Sequence, residues 1–547
     1  MSERPRRDGT APERAGGPPR RRGDRAAPGL TRRRLLAGGA ATAGGLAVPA
    51  WLGRAPTAQP SDRARPAMPF GVQSGEVSRR GAVVWSATDR PARMLVEYAT
   101  NERFAGATRV EGPAALPETG LAAKVLLRDL PAGRDVFYRV AFQDLSDLKT
   151  VSEPVVGRVR TAAADARDVT FTWSGDTVGQ GWGIDVTRGG MRIYETMRQL
   201  DPDFFVHSGD MIYADNPLVA EVPLPGGEVW RNVVTPEKAK VAETLAEFRG
   251  NFTYNLLDDH VRRFNAAIPQ YVQWDDHEVT NNWFPERILE DPRYTVKSCA
   301  LLAARARRAM FDCTPLAPHP VDPERVYRVI RRGPLLDVFM LDMRSYRGAN
   351  GEGRETALTD AARILGREQS RWLKTELLAS RATWKVIAAD MPLGLVVYHD
   401  FAKRWGAEAV AQGNGPALGR ELEIADLLRF IKHNDVRNVV WITADVHYCA
   451  THRYDPARAQ FTDFAPFYEF VSGPLHAGGF GPNELDDTFG PQVVWSRHPG
   501  GRANLPPTTG ALYFGHFRID GTTGLLTVSH RDVSGAVLHR IDLPPQV

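Results

Sequence analysis

The sequence predicts an α/β layered domain that follows a small β-sandwich, and three observations lead to this prediction. Residues 68–162 contain short apolar or alternating runs separated by turn residues, a pattern typical of a sandwich of antiparallel strands. From residue 163 onward, strand-like runs alternate with helical stretches, which favours helices layered on sheets. Six strand-like runs of this second region are each followed by an acidic residue. That observation bears on function, because ligands bind beyond the carboxyl ends of strands in α/β sheets.

The individual elements support a division into two domains after the N-terminal segment. Strand-like runs of the first region lie at residues 81–86, 94–98, 122–127 and 136–142. In the second region, strands are predicted at 169–173, 204–207, 270–274, 336–341, 384–389 and 439–443, and helices at 189–200, 295–310, 367–379 and 420–433. Strands return at 515–520 and 525–531. We therefore predict an N-terminal β-sandwich domain over residues 68–162 and a catalytic domain over residues 163–547.

Composition limits the classes of function. The chain has 547 residues, of which 43% are hydrophobic and 24% charged, as in ordinary soluble globular proteins. Its net charge is +4, and arginines in the first 34 residues carry part of that excess, so we expect no nucleic-acid-binding module. The three cysteines, Cys299, Cys313 and Cys449, lack zinc-finger or CxxC spacing. They are interpreted as buried free thiols, with a single disulfide as the alternative.

Residues 1–67 are interpreted as a disordered N-terminus followed by an export signal. Residues 1–30 are rich in Arg, Pro and Gly, which predicts disorder. Arg32, Arg33 and Arg34 precede the apolar run 37–52, as in secretory signals, and the paired arginines resemble a signal for the twin-arginine translocation machinery. We expect cleavage between residues 50 and 67, no stable transmembrane span after processing, and a periplasmic, cell-surface or secreted protein. The alternative is a membrane anchor formed by the same segment.

The acidic residues at strand ends indicate a metal site. The strand-end segments contain Asp176, Asp210, Asp275 with Asp276, Asp342, Asp390 and Asp445, and two of them add His277 and His447. A single Asp in such a place commonly caps a turn. Six in series are different, because clustered carboxylates repel one another unless cations lie among them. A site for two metal ions accommodates this many ligands best.

In this order, the segments resemble the calcineurin-like metallophosphoesterase superfamily. Residues 209–213 (Gly-Asp-Met-Ile-Tyr), 274–282 (Trp-Asp-Asp-His-Glu-Val-Thr-Asn-Asn) and 341–347 (Leu-Asp-Met-Arg-Ser-Tyr-Arg) are similar, more narrowly, to the PhoD alkaline phosphatase/phosphodiesterase family. Residues 70–75 and 130–140 resemble the fibronectin-like module found before some phosphatases. Over residues 68–535, the resemblance implies a metallophosphoesterase core, which is a β-sandwich with flanking helices, preceded by a small fibronectin-like β-sandwich.

The resemblance also implies roles for individual residues. Asp210 matches the carboxylate that bridges both metals, and Asp176, His447 and Tyr213 would complete the first metal position. The phenolate of Tyr213, with carboxylate and imidazole ligands, suits Fe3+ at that position. Asp276, Asp390 and Asp445 match the ligands of the second metal, where an oxygen-rich set favours Ca2+, Mn2+ or Mg2+.

Two further residues match catalytic positions of the family. His277 corresponds to the general acid that protonates the leaving oxygen, and Arg344 would bind the phosphoryl oxygens in a bidentate manner. With Asp210 they form the predicted catalytic set. The implied reaction is hydrolysis of phosphate monoesters or diesters by a metal-activated water, without a covalent nucleophile.

Several alternatives remain open at this point. In the first, Asp275 is the ligand in place of Asp276, or it orients His277. In the others, Arg344 only forms an ion pair with Asp342, Asp390 only stabilises a turn, and Tyr213 is an ordinary buried tyrosine. The best-known PhoD branch has a Cys iron ligand near the first strand end, whereas residues 174–177 here read Ser-Gly-Asp-Thr, so the metal identities stay open. The alternative functions are a phospholipase D-type phosphodiesterase of the same family and a non-catalytic, metal-containing surface binding protein.

Overall fold

Residues 64–546 are described by a computed structural model of the chain, and most of the predicted export signal lies outside them. The strands of this part are β1 (Val72–Gly75), β2 (Ala82–Ala87), β3 (Ala92–Ala99), β4 (Thr108–Ala115), β5 (Ala122–Leu127), β6 (Asp135–Asp144), β7 (Val155–Arg160), β8 (Val169–Ser174), β9 (Phe204–Ser208), β10 (Glu221–Pro223), β11 (Val229–Arg231), β12 (Gln270–Gln273), β13 (Arg328–Arg331), β14 (Leu336–Met340), β15 (Trp384–Ala388), β16 (Tyr398–Asp400), β17 (Trp405–Ala407), β18 (Val439–Thr443), β19 (Cys449–Tyr454), β20 (Phe467–Val471), β21 (Pro491–Arg497), β22 (Tyr513–Ile519), β23 (Leu526–Asp532) and β24 (Val537–Leu543). The helices are α1 (Arg192–Gln199), α2 (Leu245–Asn255), α3 (Asp259–Ala267), α4 (Cys299–Cys313), α5 (Arg367–Ala379) and α6 (Glu421–His433).

Two large mixed sheets form the centre of the fold. One has nine strands in the order β24-β23-β22-β8-β9-β12-β1-β2-β5, and the other has seven in the order β13-β14-β15-β18-β20-β19-β21. In the first, β8, β9 and β12 are parallel neighbours. In the second, β14, β15, β18 and β20 are parallel neighbours. Consecutive parallel strands bring their carboxyl ends to the same edge of a sheet, where loops can assemble a site.

The inner faces of these sheets share one apolar core. Phe171 of β8 stacks on Phe204 of β9 and Phe517 of β22, with ring centroids 4.8 and 4.6 Å apart. The same cluster contains Val386 of β15 and Ile442 of β18 from the opposite sheet, all fully buried. Burial of one such large side chain stabilises the fold by roughly 1.5–3 kcal/mol. The core therefore fixes the two sheets face to face as a sandwich.

Helices cover both outer faces of the sandwich. Leu373 of α5 and Leu427 of α6 pack with Ile387 of β15 on the outside of the seven-stranded sheet. On the outside of the nine-stranded sheet, Met197 of α1 packs with residues of α3 and β9. The arrangement is a β-sandwich with flanking helices, as the sequence predicted.

Residues 68–162 contribute strands to more than one sheet. Strands β3, β4, β6 and β7 form a separate four-stranded sheet in the order β4-β3-β6-β7. Strands β1, β2 and β5 instead extend the nine-stranded sheet, where β1 runs parallel to β12 with Gly75 opposite Gln270. Apolar side chains of β3 and β6 belong to the same buried cluster as Phe171. The strands predicted within residues 68–162 thus share a core with the rest of the described chain.

Two helix boundaries differ from the sequence expectation, and each has a local cause. The helix predicted at 295–310 begins at Cys299, because the Ser298 side chain caps it by accepting a hydrogen bond from the Leu301 N–H. The helix predicted at 189–200 begins at Arg192, after Gly189 and Gly190 adopt left-handed backbone angles of +87° and +65°.

Two further properties concern the whole described part of the chain. Cys299, Cys313 and Cys449 are buried free thiols, as expected from their spacing. Within residues 64–546, no helix combines the length and apolarity needed to cross a membrane.

Glu421, the first residue of α6, is a buried carboxyl group that makes the stability of the fold depend on pH. Glu421 is buried, and burial together with the neighbouring Asp486 raises the pKa of Glu421 to about 9. In the unfolded chain its pKa is about 4.3. The folded protein therefore keeps this proton while the unfolded chain loses it, and stability falls as the pH rises from about 4.3 toward 9.

We expect Glu421→Gln to flatten that pH dependence, because the amide keeps a donor and carries no charge. The melting temperatures of the variant and the wild type should agree near pH 5, and the variant should melt about 2 °C or more higher at pH 9. Thermal unfolding followed by circular dichroism across this range measures the difference. If the difference in melting temperature between the two proteins were the same at every pH, the raised pKa of Glu421 would be contradicted.

Candidate metal centre

The predicted ligands lie where parallel strands of the two large sheets end. Asp176 follows β8, Asp210 follows β9, and Asp276 follows β12 in the nine-stranded sheet. Asp390 follows β15 and Asp445 follows β18 in the seven-stranded sheet. Because the sheets pack face to face, loops from both sheets contribute carboxylates to one region.

Backbone hydrogen bonds join these loops within each sheet. The Thr177 N–H donates to the Asp210 carbonyl oxygen at 2.8 Å, which ties the loop after β8 to the loop after β9. The Ala444 N–H donates to the Asp390 carbonyl oxygen at 2.9 Å, which ties the loops after β15 and β18. The positions of the carboxylates therefore depend on the sheet register.

Four of the predicted ligands share a strained backbone conformation. The φ angles are 67° for Asp176, 51° for Asp210, 65° for Asp445 and 59° for His447. Residues with a Cβ pay roughly 1–3 kcal/mol for a sparsely populated conformation, and such residues cluster at functional sites. Here the left-handed turn directs each side chain immediately after its strand ends.

One half of the site contains Asp176, Asp210, His447 and Tyr213. Possible ligand atoms of Asp176, Asp210 and His447 all lie within 4.8 Å of one another. The Nε2 atom of His447 is 3.3 Å from Oδ1 of Asp176 and 2.8 Å from the Tyr213 hydroxyl. These are the four residues predicted for the first metal position, and the structure brings all of them together.

The tautomer of His447 suits a ligand. Its Nδ1 atom lies 2.5 Å from the Gly478 carbonyl oxygen, which can only accept, so Nδ1 carries the proton and Nε2 keeps its lone pair. Burial lowers the pKa of His447 to about 4, so the imidazole is neutral near pH 7. Burial and the nearby Asp210 and Asp176 raise the pKa of Tyr213 well above its usual range. Tyr213 is therefore a phenol in this structure, hydrogen-bonded to His447.

The other half of the site contains Asp210, Asp276 and His277. Their possible ligand atoms also lie within 4.8 Å of one another, so Asp210 belongs to both groups, as expected of a bridging carboxylate. The His277 backbone N–H donates to Oδ1 of Asp210 at 3.1 Å. Asp276 accepts a hydrogen bond from the Asn282 N–H at 2.5 Å, and the Asn282 amide group reaches Tyr398 and His399 carbonyls instead of the acidic cluster.

Asp390 and Asp445 complete the acidic region. Asp390 is buried, and its Oδ2 lies 3.6 Å from Nε of Arg344. Asp445 is half-buried, and burial with the charges of Asp275 and Asp276 raises its pKa, against the opposing effect of Arg344. Asp342 does not join them, because its carboxylate accepts hydrogen bonds from Trp274, from Ser345 and from the Arg344 backbone. Asp342 therefore fixes its own turn and the Trp274 side chain and takes no part in the acidic region.

The donor set can be tested for its fit to cations. Both carboxylate oxygens of Asp176, both of Asp390 and Oδ2 of Asp275 are buried without a hydrogen-bond donor among the described residues. Burial and repulsion between neighbouring carboxylates raise the pKa of Asp176, Asp210, Asp390 and Asp445 well above the usual range. Unpaired buried acceptors are costly, and a cation among them removes that cost. The residues therefore fit a metal centre.

His277 has a partner that the sequence did not indicate. Its Nδ1 atom lies 2.7 Å from Oδ1 of Asp215, and its ring stacks on Tyr213 with centroids 4.2 Å apart. Burial opposes charge on His277, but Asp215 and Asp276 outweigh it and raise the pKa of His277 to about 10. The Nε2 atom is 3.8 Å from Asp276, so the ring presents a proton to the acidic region.

Glu278 and Glu408 are further residues that sequence reasoning missed. The Glu278 carboxylate accepts from the backbone N–H groups of Asp210, Met211 and Asp275, and so joins the loops after β9 and β12. Its position beside His277 in the motif was a usable signal. Glu408, which pairs with Arg344, follows β17 and has no motif around it. Only the fold reveals it.

A sandwich of two mixed sheets, with helices on both faces and carboxylates and histidines at the ends of its parallel strands, defines a metallophosphoesterase-like fold. The chain belongs to the PhoD-like phosphatase family, whose model matches residues 171–530. The model of the N-terminal domain of PhoD-like phosphatases matches residues 53–163. The family resemblance, the fold class and the enzyme class expected from the sequence, a hydrolase of phosphoric esters, are thereby confirmed.

Individual relatives agree with this assignment. Alkaline phosphatase D of Bacillus subtilis (strain 168) is 26% identical over 451 residues, which cover 77% of this chain and 71% of that protein. The solved structure of PhoD matches with a TM-score of 0.65 at 21% identity, covering 87% of this chain and 89% of that one. Purple acid phosphatase PPD1 from yellow lupin (Lupinus luteus) seeds matches with a TM-score of 0.57 at 13% identity, covering 88% and 74%. The two structural likenesses establish the fold.

Gly209, directly before Asp210, tests how tightly the loops at the site are packed. Its φ is +94°, and an added Cβ would lie 2.5 Å from Cβ and 2.9 Å from the backbone nitrogen of Asp275. We expect Gly209→Ala to lower the free energy of unfolding by about 2–4 kcal/mol, because it adds a clash to an unfavourable φ. Denaturant unfolding measures this.

A matched control separates the clash from the backbone effect. Gly226 has a similar φ of +90° and no atom within 4 Å of an added Cβ. Gly226→Ala should therefore cost only about 1 kcal/mol. Equal losses in the two variants would show that the loop contact at Gly209 is not tight.

Proposed function

We propose that this protein is an exported, metal-dependent phosphoesterase that hydrolyses phosphate esters by direct attack of water. The observation that carries this proposal is the set of buried carboxylates that meet at one place without hydrogen-bond donors. Asp176 and Asp390 each bury two such oxygens, and Nε2 of His447 lies 3.3 Å from Asp176. Membership in the PhoD-like phosphatase family supports phosphate esters as the substrate.

The metal-binding roles follow the two groups of residues. Asp176, Tyr213 and His447 would hold one cation, Asp276, Asp390 and Asp445 the other, and Asp210 would touch both. When bound, such cations lower the pKa of water and bind phosphoryl oxygens. Glu278 fixes the loops after β9 and β12 through backbone hydrogen bonds, and the left-handed backbone at four of the ligands sets the direction of their side chains.

His277 is proposed as the general acid. Its pKa of about 10 keeps it protonated at neutral and mildly alkaline pH. Asp215 binds Nδ1 and so leaves Nε2 to face the acidic region, where a leaving oxygen would need a proton. Asp215 thus orients His277 and, together with Asp276, favours its protonated form.

The identities of the metals form the finer part of the proposal. Tyr213 favours Fe3+ at its position, because a trivalent ion can displace a phenol proton that burial and the neighbouring carboxylates hold in place. An oxygen-rich set of carboxylates favours Ca2+, Mn2+ or Mg2+ at the second position. Elemental analysis of the purified protein measures both.

Substrate range and location complete the proposal. The turnover of p-nitrophenyl phosphate relative to its bis-ester distinguishes a monoesterase from a diesterase, including a phospholipase D-type enzyme. We propose export by the twin-arginine route because of the paired arginines before residues 37–52, a segment outside the described residues. Replacing Arg32 and Arg33 by lysine and following processing in cells tests the route.

Removing the shared carboxylate provides the main test of function. Asp210→Asn should reduce hydrolysis of p-nitrophenyl esters by 10³-fold or more and remove bound metal, because a neutral amide cannot balance two cations. Activity assays and elemental analysis measure the two effects. Asp463→Asn, which changes a half-exposed Asp paired with Arg429, Lys432 and His433 outside the acidic region, is the control and should leave both unchanged. Full activity in Asp210→Asn would overturn the proposal.

A second test concerns the proposed general acid. His277→Gln should slow hydrolysis of alkyl phosphates by roughly 10²–10⁴-fold, because alkoxides leave poorly without a proton. The loss should be far smaller for p-nitrophenyl esters, whose leaving group is stable as an anion. Steady-state kinetics on both substrates measure the ratio. Equal losses on the two substrates would assign His277 a structural role instead.

A further inference from the structure

Arg344 occupies a place that does not suit direct contact with substrate. The side chain is completely buried. Its Nε donates to Oδ1 of Asp275 at 2.6 Å, and its Nη2 lies 2.5 Å from the same oxygen. The Asp390 and Asp276 carboxylates lie 3.6 and 4.0 Å from the guanidinium, on the same side of the group. A bidentate approach by phosphate would have to displace Asp275.

A second carboxylate holds the far side of this guanidinium. Nη1 of Arg344 contacts Oε1 of Glu408, and Arg347 approaches the same oxygen at 3.1 Å. The amide group of Asn350 donates to the other oxygen of Glu408. Glu408 is itself buried and follows directly on β17, so the hairpin β16–β17 fixes its position.

The planar geometry of arginine is suited to such a bridge. A guanidinium presents donors in a rigid fork, so it can engage Asp275 and Glu408 on different edges at once. Asp275 directly precedes Asp276 and His277, so its position constrains the two residues that follow. The Asp275 N–H is also held, by Glu278 at 2.9 Å. The segment is therefore fixed at its backbone and at its first side chain.

We propose that Arg344 is a positioning residue: held by Glu408, it fixes Asp275 and thereby the Asp276–His277 segment of the metal centre. This inference rests on the proposed metal-binding function of that segment. It replaces the phosphoryl-binding role that the sequence resemblance implied for Arg344. It also gives the hairpin β16–β17 a role, because the hairpin supplies the carboxylate that holds the arginine.

Arg344→Lys and Glu408→Gln test the proposal. Lysine keeps the charge without the fork, and glutamine keeps the shape without the charge. Both variants should release metal to EDTA about 10-fold faster than the wild type, as measured by elemental analysis of the retained protein. With p-nitrophenyl ester substrates, kcat should fall roughly 10–100-fold while KM and inhibition by inorganic phosphate change less than about 2-fold.

The control is an arginine elsewhere in the chain that also pairs with a buried glutamate but is itself partly exposed. Arg363 pairs with the buried Glu423 at 2.8 Å, and Arg363→Lys should leave metal release and kinetics unchanged. If Arg344→Lys fails to fold, Asn350→Ala, which loosens Glu408 while keeping every charge, should show the same pattern at about 2–5-fold.

Two results would overturn the inference. One is an Arg344→Lys variant whose KM and phosphate inhibition constant rise 10-fold or more while metal release stays at the wild-type rate, which would restore phosphoryl binding. The other is unchanged metal release in both Arg344→Lys and Glu408→Gln. Metal release needs no substrate, so a wild-type protein that holds metal but hydrolyses no ester would refute the proposed function alone.

Discussion

Repulsion between buried carboxylates is the constraint on which the rest of this structure depends. Asp176, Asp210, Asp276 and Asp390 are all buried, and their neighbours are mostly other acids. Such an arrangement is unfavourable by itself, and the protein offsets it with fixed positive charge and with hydrogen bonds. Arg344 lies between Asp275 and Glu408, protonated His277 lies beside Asp215, and backbone N–H groups of His277 and Asn282 donate to Asp210 and Asp276.

The two sheets have complementary roles under this constraint. The nine-stranded sheet provides Asp176, Asp210, Tyr213 and the segment 274–278, and the seven-stranded sheet provides Asp390, Asp445 and His447. The aromatic core around Phe171 holds the sheets together, so packing far from the ligands determines how closely the carboxylates approach. Loops alone would not hold like charges together, whereas strands locked in register do.

Sequence reasoning found most of the candidate ligands because each follows a strand whose apolar pattern is easy to recognise. Asp176, Asp210 and Asp276 were predictable in this way, and the structure places them together. The partners of His277 and Arg344 were not predictable, because Asp215 lies 62 residues from His277 and Glu408 lies 64 residues from Arg344. Asp342 seemed the natural partner of Arg344 by proximity, yet Asp275, 69 residues away, takes that place.

In the fold too, features set by neighbouring residues were predictable, whereas pairings between distant residues were not. Periodicity located α5 and α6 closely, whereas α2 went unassigned although Thr244 and Glu247 form a capping box at its start. The sequence pattern of residues 68–162 indicated strands, but it contained nothing about β1 pairing with β12 across almost two hundred residues. Pairings of that range follow from burial of whole faces, which no short window of sequence contains.

The distribution of the ligands along the chain has a consequence for how the protein matures. The first group joins a residue at position 176 to one at position 447, in loops that follow strands of different sheets. A nascent or partly folded chain holds these residues apart, so it offers no complete binding place for a cation. A cation held by this group would therefore bind late in folding, after both sheets have docked.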